Sequence, residues 1–424
     1  MADSRNGYPR VLVVSAPPMD GRGGTGVTLA NLFSSVPPGQ VSQVHLDQGS
    51  VDPGRCGSSL LLPSKGSPLE GWIRSRFTHM SRAAHMSPTI VAARPKDAGR
   101  ARAWASALLD LAPVQLTPAT KHWATEHRPD VIYSQLGSIR VLRVVNRLAE
   151  RLGVPVVPHF MDDWKNTLYS QGELLGVARS ELRRQVQAVV DRSPLFLGIS
   201  AAMVDEYAAD FDRPGRAFMN CVADDALSRA SVVTPPTVRV LTYVGGLHLE
   251  RWRSLARLAD QLGKIAPEAE LRIHAPKEDL QAYQKHFEQR NNVSWGPSLA
   301  PQSVHEALAK ADVLVHVESW SPEARLYTRL SISTKVPQYL ASGRPILAIG
   351  PPELASMRYI LETGGGEVLS ESDTDGLRSF LVDARGRTEM AQLGLTQAKA
   401  HHSQSAVSEA FLRTLDEVAR GAAG

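Results

Sequence analysis

The sequence predicts an α/β protein of two successive doubly wound domains, each a parallel sheet with helices on both faces. Three observations carry this expectation. Short runs rich in Val, Ile and Leu alternate with longer segments of helical period, as buried parallel strands and their crossover helices require. The alternation fades at the turn-rich Phe211-Asp212-Arg213-Pro214-Gly215 and begins again at Val238. The chain has 424 residues, too many for one ordinary core at about 150 residues per domain and suited to two halves.

In the first series Val11 to Ala16 reads as a strand, Gly26 to Ser34 as the start of a helix, and Val41 to Leu46 and Thr89 to Ala93 as further strands. Val131 to Gln135, the helix Ile139 to Leu152, the strand Val154 to Phe160, a helix from about Gly176 to Val190 and the strand Leu195 to Ser200 follow. The second series supplies strands at Val238 to Val244, Leu271 to His274, Val293 to Trp295, Val313 to Val317 and Ile346 to Ile349. A last helical stretch runs from about Ala391 to Gly421. The expected organisation is a first domain over residues 1–220, a linker over 221–237 with the polar, proline-bearing Ser228 to Thr237, and a second domain over 238–395. Residues 396–424 would form a C-terminal helix packing back on the first domain. Two such Rossmann-like domains facing a central cleft hold their ligand crevices beyond the carboxyl ends of the strands, so function is sought in strand-to-helix loops.

Composition narrows the function classes. Hydrophobic residues make up 43% and charged residues 21%, a globular and not a disordered profile. The 47 basic residues are nearly balanced by 43 acidic ones, so nucleic acid is not indicated, while anionic ligands and lipid headgroups are compatible. Cys56 and Cys221 stand far apart without metal-ligand spacing, and neither a disulfide nor structural zinc is expected. No segment reaches the apolar length of a membrane span and the polar N-terminus lacks a signal-peptide core, so the expected location is cytoplasmic. The mixed aromatic and cationic segment Gly71 to Met86 suits either peripheral contact with an anionic membrane or an amphipathic helix on the core. Asp373-Thr374-Asp375 imitates a metal-binding pair, but its polar surroundings read as a turn or helix cap.

Chemistry is carried by loops. The first strand runs into a glycine-rich turn containing Gly23 and Gly24 before an apolar helix. Such a turn leaves room for a close backbone approach and presents amide groups to an anion. It is neither a Walker A loop nor a dinucleotide fingerprint, since no Gly-Lys-Ser/Thr follows and no acidic residue closes the second strand. The second domain begins alike, with Tyr243-Val244-Gly245-Gly246-Leu247-His248-Leu249-Glu250-Arg251. Further on stand Val313-Leu314-Val315-His316-Val317-Glu318-Ser319 and a block from Tyr327 through Arg329, Ser333-Thr334-Lys335 and Gln338 to Gly343.

These segments, and the order of the two domains, resemble the retaining GT-B glycosyltransferases of family four, most clearly from Val238 to Glu367. The resemblance implies transfer of a sugar from a nucleotide-sugar donor to a glycan, lipid-linked or small-molecule acceptor, with retention and without a required metal or other cofactor. It implies donor-binding roles for Gly23, Gly24, Gly245, Gly246, Arg251, Glu318, Arg329, Ser333, Thr334, Lys335 and Gln338. Two departures stand out. Gly246 occupies the place of a family arginine, and Leu330 and Gln338 occupy the places of a paired-glutamate motif. Arg251, able to hold a phosphate with two N–H groups, stands where the family has a lysine, and a surface arginine is the alternative. For Ser333-Thr334-Lys335 the alternative is an ordinary helix cap beside a solvated lysine.

In the first domain, Pro158-His159-Phe160-Met161-Asp162-Asp163 lies where many family members have a His-Asp pair that meets acceptor and sugar. Asp162 matches the aspartate, Met161 replaces the histidine, and His159 is placed by strand alternation on the same side as Met161. His159, Asp162 and Asp163 are therefore the catalytic candidates, with a helix cap the alternative for either carboxylate. Two rival functions remain open at this point: a nucleotide-sugar epimerase on the same plan, and a non-catalytic nucleotide-sugar-binding partner.

Overall fold

The structure, a computed structural model, describes residues 8–21, 23–62 and 96–421. The expected strand at residues 89–93 and the cationic, aromatic segment 71–86 lie outside the described residues. The chain forms two compact units, one of Met1–Met219 with Ser408–Gly424 and one of Asn220–Val407. Each contains a parallel sheet with helical crossovers.

The first unit holds a seven-stranded sheet in the order β3-β2-β1-β4-β5-β6-β7. Its strands are β1 Val11–Ser15, β2 Val41–His45, β3 Ser58–Leu61, β4 Val131–Ser134, β5 Val156–Phe160, β6 Phe196–Gly198 and β7 Gly215–Ala217. Val11 pairs with Val41 on one side and with Val131 on the other, so β1 is central and wholly buried. Helix Ile139–Leu152 matches its sequence expectation. Ser138 Oγ accepts the Val141 amide at 3.2 Å to start it, and Gly153, at φ 66°, ends it in the left-handed region that glycine tolerates. Its buried Val141, Leu142, Val145, Leu148 and Ala149 fall at helical spacing on the sheet-facing side.

The long helix expected from Ala391 is two helices, Ala384–His401 and Gln404–Gly421. The break lies at His402–Ser403, where Ser403 pairs with Val222 as an isolated bridge and donates its hydroxyl to Asp224 at 2.5 Å. The Asp224 carboxylate also accepts the Ser405 amide at 3.1 Å, capping the new helix from outside. Beyond the break, Ser408 Oγ donates to the Leu32 carbonyl at 2.8 Å and accepts the Ser35 amide. Phe411 enters an aromatic cluster with Phe33, Tyr133 and Phe218, ring centroids 5.0 to 5.6 Å apart.

The second unit holds a six-stranded sheet in the order β10-β9-β8-β11-β12-β13. The strands are β8 Val240–Val244, β9 Glu270–His274, β10 Val293–Trp295, β11 Val313–Val317, β12 Ile346–Ile349 and β13 Gly366–Leu369. Residues 228–237, which the sequence marks as a connector, pack on this unit. Arg344 donates to the Ser231 carbonyl, and the fully buried Arg387 donates to those of Pro235, Pro236, Phe380 and Leu381. Each of these guanidinium groups replaces water with main-chain acceptors, the condition for burying a charge.

Phe411→Ala would remove the ring that joins the C-terminal helix to the first sheet. Chemical denaturation should show a loss of about 3 to 5 kcal/mol in the first unit, and a loss below about 1 kcal/mol would contradict this packing.

Candidate functional site

In each sheet the strand order reverses direction at one place, between β1 and β4 in the first unit and between β8 and β11 in the second. Neighbouring strands there send their crossovers to opposite faces, which opens a crevice at their carboxyl ends. In the second unit the β8–β11 pairing runs only through Val313 with Leu241 and Leu314 with Thr242. The Val244 amide is satisfied instead by the Tyr339 hydroxyl at 3.0 Å. Tyr339 belongs to the short helix Val336–Leu340, and its ring is fully buried.

The loop after β8 is fixed from several sides. Tyr243 donates its hydroxyl to the Gly246 carbonyl at 2.6 Å, and Asp279 accepts the Leu247 amide at 2.6 Å. Burial opposes ionisation of Asp279, but hydrogen bonds from His248 and the Leu247 amide hold its pKa below the usual carboxylate value. Leu249 and Glu250 take φ values of 57° and 59°, and helix Arg251–Ile265 begins at once. The first amides of that helix bond to the loop's own carbonyls: Arg251 to His248, Trp252 to Leu247 and Arg253 to Glu250. The glycine loop is thus a pre-shaped surface, and its side-chain cations supply the charge.

Arg251 and Glu318 meet across the switch point. Arg251 Nη2 lies 2.8 and 2.9 Å from the two Glu318 carboxylate oxygens, and Nε lies 3.1 Å from one of them. Glu318, at the end of β11, is 2% exposed, so the pair is a two-pronged ionic contact inside the protein. Burial pushes the Glu318 pKa up, but Arg251, with Lys335 further off, outweighs it and holds the carboxyl ionised. His316, one alternate position earlier on β11, places Nε2 3.3 Å from Ser356 Oγ and 3.8 Å from Glu318. Burial drives its pKa down to about 3, so it is a neutral imidazole at ordinary pH.

Lys335 completes the group. It stands four residues before Tyr339, one helical turn away, and both side chains reach the end of β8. The ammonium lies 4.6 Å from the centre of the Tyr243 ring and directly over Gly245. A Cβ on Gly245 would collide with Lys335 Nζ, and at φ 144° that residue is in a region glycine favours. Among the described residues no carboxylate lies within ion-pair distance of Nζ. Desolvation first, and then the nearby Arg251, lower the Lys335 pKa to about 7.

The structure therefore brings Gly245, Gly246, Arg251, Glu318 and Lys335 together. Glu318, expected as a donor ligand, has both carboxylate oxygens within hydrogen-bond distance of Arg251. At Gly246, where the family has arginine, a Cβ would strike the His248 ring. Ser333, Thr334 and Gln338 are partly exposed around Lys335, and Asn220 Nδ2 holds the Thr334 carbonyl at 2.8 Å. Arg329 caps the C-terminus of helix Pro322–Thr328 and is partly exposed, whereas Leu330 is buried. The sequence reading did not single out Tyr243, His316 or Tyr339. Their signal, aromatic and imidazole side chains inside apolar strands and helices, is that of ordinary core residues.

In the first unit, Gly24 is exposed at the start of helix Gly23–Leu32, and Gln43 knits the preceding loop. The fully buried Gln43 accepts the Met19 amide and donates to Ser15 Oγ and the Pro17 carbonyl. His159 and Asp163, expected as catalytic candidates, both lie in the interior. His159 is fully buried, with Nδ1 2.8 Å from Tyr133 Oη and Nε2 3.1 Å from the Phe218 carbonyl, and burial lowers its pKa to about 3. Asp163 is equally buried and accepts from Tyr207 Oη at 2.6 Å and Asn166 Nδ2 at 2.8 Å. Both satisfy interior partners. Asp162, two residues beyond the strand end, is partly exposed. Among the described residues no group of three or more His, Cys, Asp or Glu is placed to hold a metal ion.

No family model matches the sequence, and no curated protein does. Solved structures do match over both units. The HepE protein of Anabaena, solved in complex with UDP and glucose, is 13% identical, with 96% of this chain and 100% of that one covered and a TM-score of 0.64. The trehalose 6-phosphate synthase of Burkholderia multivorans is 15% identical, with 98% of each chain covered and a TM-score of 0.60. WaaG, a glycosyltransferase of lipopolysaccharide biosynthesis, is 13% identical, with 95% and 98% covered and a TM-score of 0.55. At these identities the likeness is one of fold, and the fold is GT-B.

Glu318→Gln would leave the Arg251 charge buried without its counter-ion. The second unit should lose about 3 to 5 kcal/mol in denaturant unfolding, and an unchanged midpoint would contradict the buried pairing.

Proposed function

We propose that this chain is a glycosyltransferase that takes a sugar from a nucleoside-diphosphate sugar bound to the second unit. The observation that carries this reading is the placing of Lys335 over the Gly245-Gly246 loop, beside the Arg251–Glu318 pair, at the carboxyl-edge switch point. A diphosphate needs cations and a backbone surface that admits close approach, and this crevice offers both. HepE, a protein of the same fold, has been solved with UDP and with UDP-glucose, which supports a nucleotide sugar as the donor class.

In this reading Lys335 carries the charge that the family draws from an arginine at the position of Gly246. Glu318 keeps Arg251 extended along the crevice. As the glycosidic bond to the diphosphate breaks, negative charge grows on the leaving oxygen, and Lys335 and Arg251 stabilise it in a partly water-excluded place. Those cations make a metal unnecessary, and retention of configuration follows the family likeness. Ser333, Thr334 and Gln338 are proposed to bind donor hydroxyls or phosphate oxygens. Asp162 is proposed as the acceptor-side group of the first unit, with His159 and Asp163 holding the segment that presents it. A cytoplasmic location goes with a nucleotide-sugar donor; among the described residues no helix is long and apolar enough to cross a membrane.

Screening UDP-, GDP- and dTDP-sugars by thermal shift should find one that stabilises the protein. Titrated by calorimetry, Lys335→Ala should bind that donor about 1.5 to 3 kcal/mol more weakly. The wild type should bind less tightly as pH rises through about 7, because a depressed lysine must be protonated to meet the phosphates. Lys335→Ala should lose that pH dependence. Unchanged affinity in the variant would remove Lys335 from the site.

Asp162→Asn should leave donor affinity intact and lower kcat by about 10² to 10⁴, and turnover of the wild type should persist in EDTA. A fully active Asp162→Asn enzyme would exclude the acceptor role, and loss of turnover in EDTA restored by magnesium or manganese would exclude metal independence. Donor binding without turnover over a broad acceptor panel would contradict the transferase reading itself.

A further inference from the structure

Each glycine of the loop after β8 seats a basic side chain. At Gly245 the space of a side chain holds Lys335 Nζ, and at Gly246 it holds the His248 imidazole, with Cε1 and Nδ1 nearest. The ring lies as closely on the loop as the ammonium does, at the same carboxyl end of β8. The backbone folds it back there. The His248 carbonyl accepts the Arg251 amide at 3.3 Å, and Leu249 and Glu250, at φ 57° and 59°, turn the chain into helix Arg251–Ile265. Residues other than glycine seldom take that conformation, so two in succession mark a turn whose shape is imposed by its surroundings.

Asp279 holds the ring from behind. Its carboxylate, on helix Lys277–Tyr283, lies 3.5 Å from His248 Nδ1 and accepts the Leu247 amide at 2.6 Å. A carboxylate on one ring nitrogen decides which nitrogen is turned outward. Here it is Nε2, which is solvent-accessible in a side chain 26% exposed and has no hydrogen-bond partner among the described residues. A histidine that only fills space has both nitrogens met inside the protein, as His159 does with Tyr133 and the Phe218 carbonyl. An imidazole backed by an anion and open at its other nitrogen can instead carry both protons and give a charge-assisted hydrogen bond to an anion in front of it.

We infer that His248, held by Asp279, is a donor-binding residue that gives a hydrogen bond from Nε2 to a phosphate oxygen of the nucleoside-diphosphate sugar. The inference rests on the donor site proposed above and adds a second point of contact to it. Gly245 and Gly246 are neighbours, with Cα atoms about 3.8 Å apart, so one diphosphate meets Lys335 across the first and His248 across the second. Asp279 is a positioning residue that acts through the ring. As the glycosidic bond breaks, charge grows on the leaving phosphate and strengthens the bond from Nε2, so His248 serves turnover as well as binding.

Calorimetric titration of the full chain with UDP, GDP and dTDP tests it. For the diphosphate that binds, His248→Ala should weaken affinity about tenfold to a hundredfold, the worth of one charge-assisted hydrogen bond. His248→Gln keeps the space over Gly246 filled but removes the charge, and it should weaken affinity as well. Binding of the matching nucleoside, followed by ligand-observed NMR, should not change in either variant, because the nucleoside has no phosphate to lose. Asp279→Asn should weaken diphosphate binding in the wild type and cause no further loss in His248→Ala; losses that simply add would overturn the part given to Asp279. Equal diphosphate affinity in the wild type and both His248 variants would overturn the inference and leave the donor site standing. A loss shared by the nucleoside would overturn it too, assigning His248 to the shape of the loop. Failure of all three diphosphates to bind the wild type would instead remove the donor site itself, and the inference with it.

Discussion

The contact on which the second unit's crevice depends is the buried pair of Arg251 and Glu318. At the switch point the ladder between β8 and β11 stops early, and something must hold the two strand ends in register beyond their last shared bonds. Tyr339 does so on the backbone by taking the Val244 amide, and the ion pair does so between side chains. Burying two charges is costly, and only good geometry with further hydrogen bonds offsets that cost. Here the two-pronged contact supplies the geometry, and neutral His316 beside Glu318 adds a polar neighbour without adding charge. Glu318 compensates Arg251, whereas among the described residues no carboxylate lies within ion-pair distance of Lys335.

This arrangement explains the two glycines. Gly245 is small because Lys335 Nζ occupies the space of a side chain there, and Gly246 is small because the His248 ring does. A side chain at the second position could not be accommodated without moving His248 from Asp279. In the first unit the same economy holds in a different form. His159, Tyr133, Asp163 and Tyr207 satisfy one another or the backbone inside the core, and Asp110 holds the first amides of helix Ile139–Leu152. These groups fix the strand ends and leave Asp162 as the partly exposed carboxylate of its segment.

Much of the fold was legible in the sequence because buried parallel strands have no polar alternation to disguise them: Val293–Trp295, Val313–Val317 and Ile346–Ile349 fall where their apolar runs place them. The strands that escaped notice are at or near sheet edges. Ser58–Leu61 is half polar, Gly215–Ala217 is short and exposed, and Gly366–Leu369 opens on a glycine. The break at His402–Ser403 escaped as well, since its cause, Asp224, lies far away in sequence. At the site, the resemblance to family four drew attention to Lys335 and Arg251, but not to the difference in their surroundings: Arg251 faces a buried carboxylate and Lys335 the Tyr243 ring. Periodicity assigns His159 a strand face, yet only packing shows that this face meets Tyr133 and Phe218 and not solvent. Likewise the sequence places Glu318 at a strand end, but not its contact with Arg251.

The central claim is that a donor's diphosphate is held by Lys335 over the Gly245-Gly246 loop, with Arg251 kept in place by Glu318. A crystal structure of the protein with a bound nucleoside-diphosphate sugar tests it most directly. The account predicts phosphate oxygens within about 3 Å of Lys335 Nζ, lying against the glycine loop, with the Arg251–Glu318 contact still formed. A diphosphate bound away from Lys335, or a Glu318 that has released Arg251 to contact the ligand itself, would contradict it.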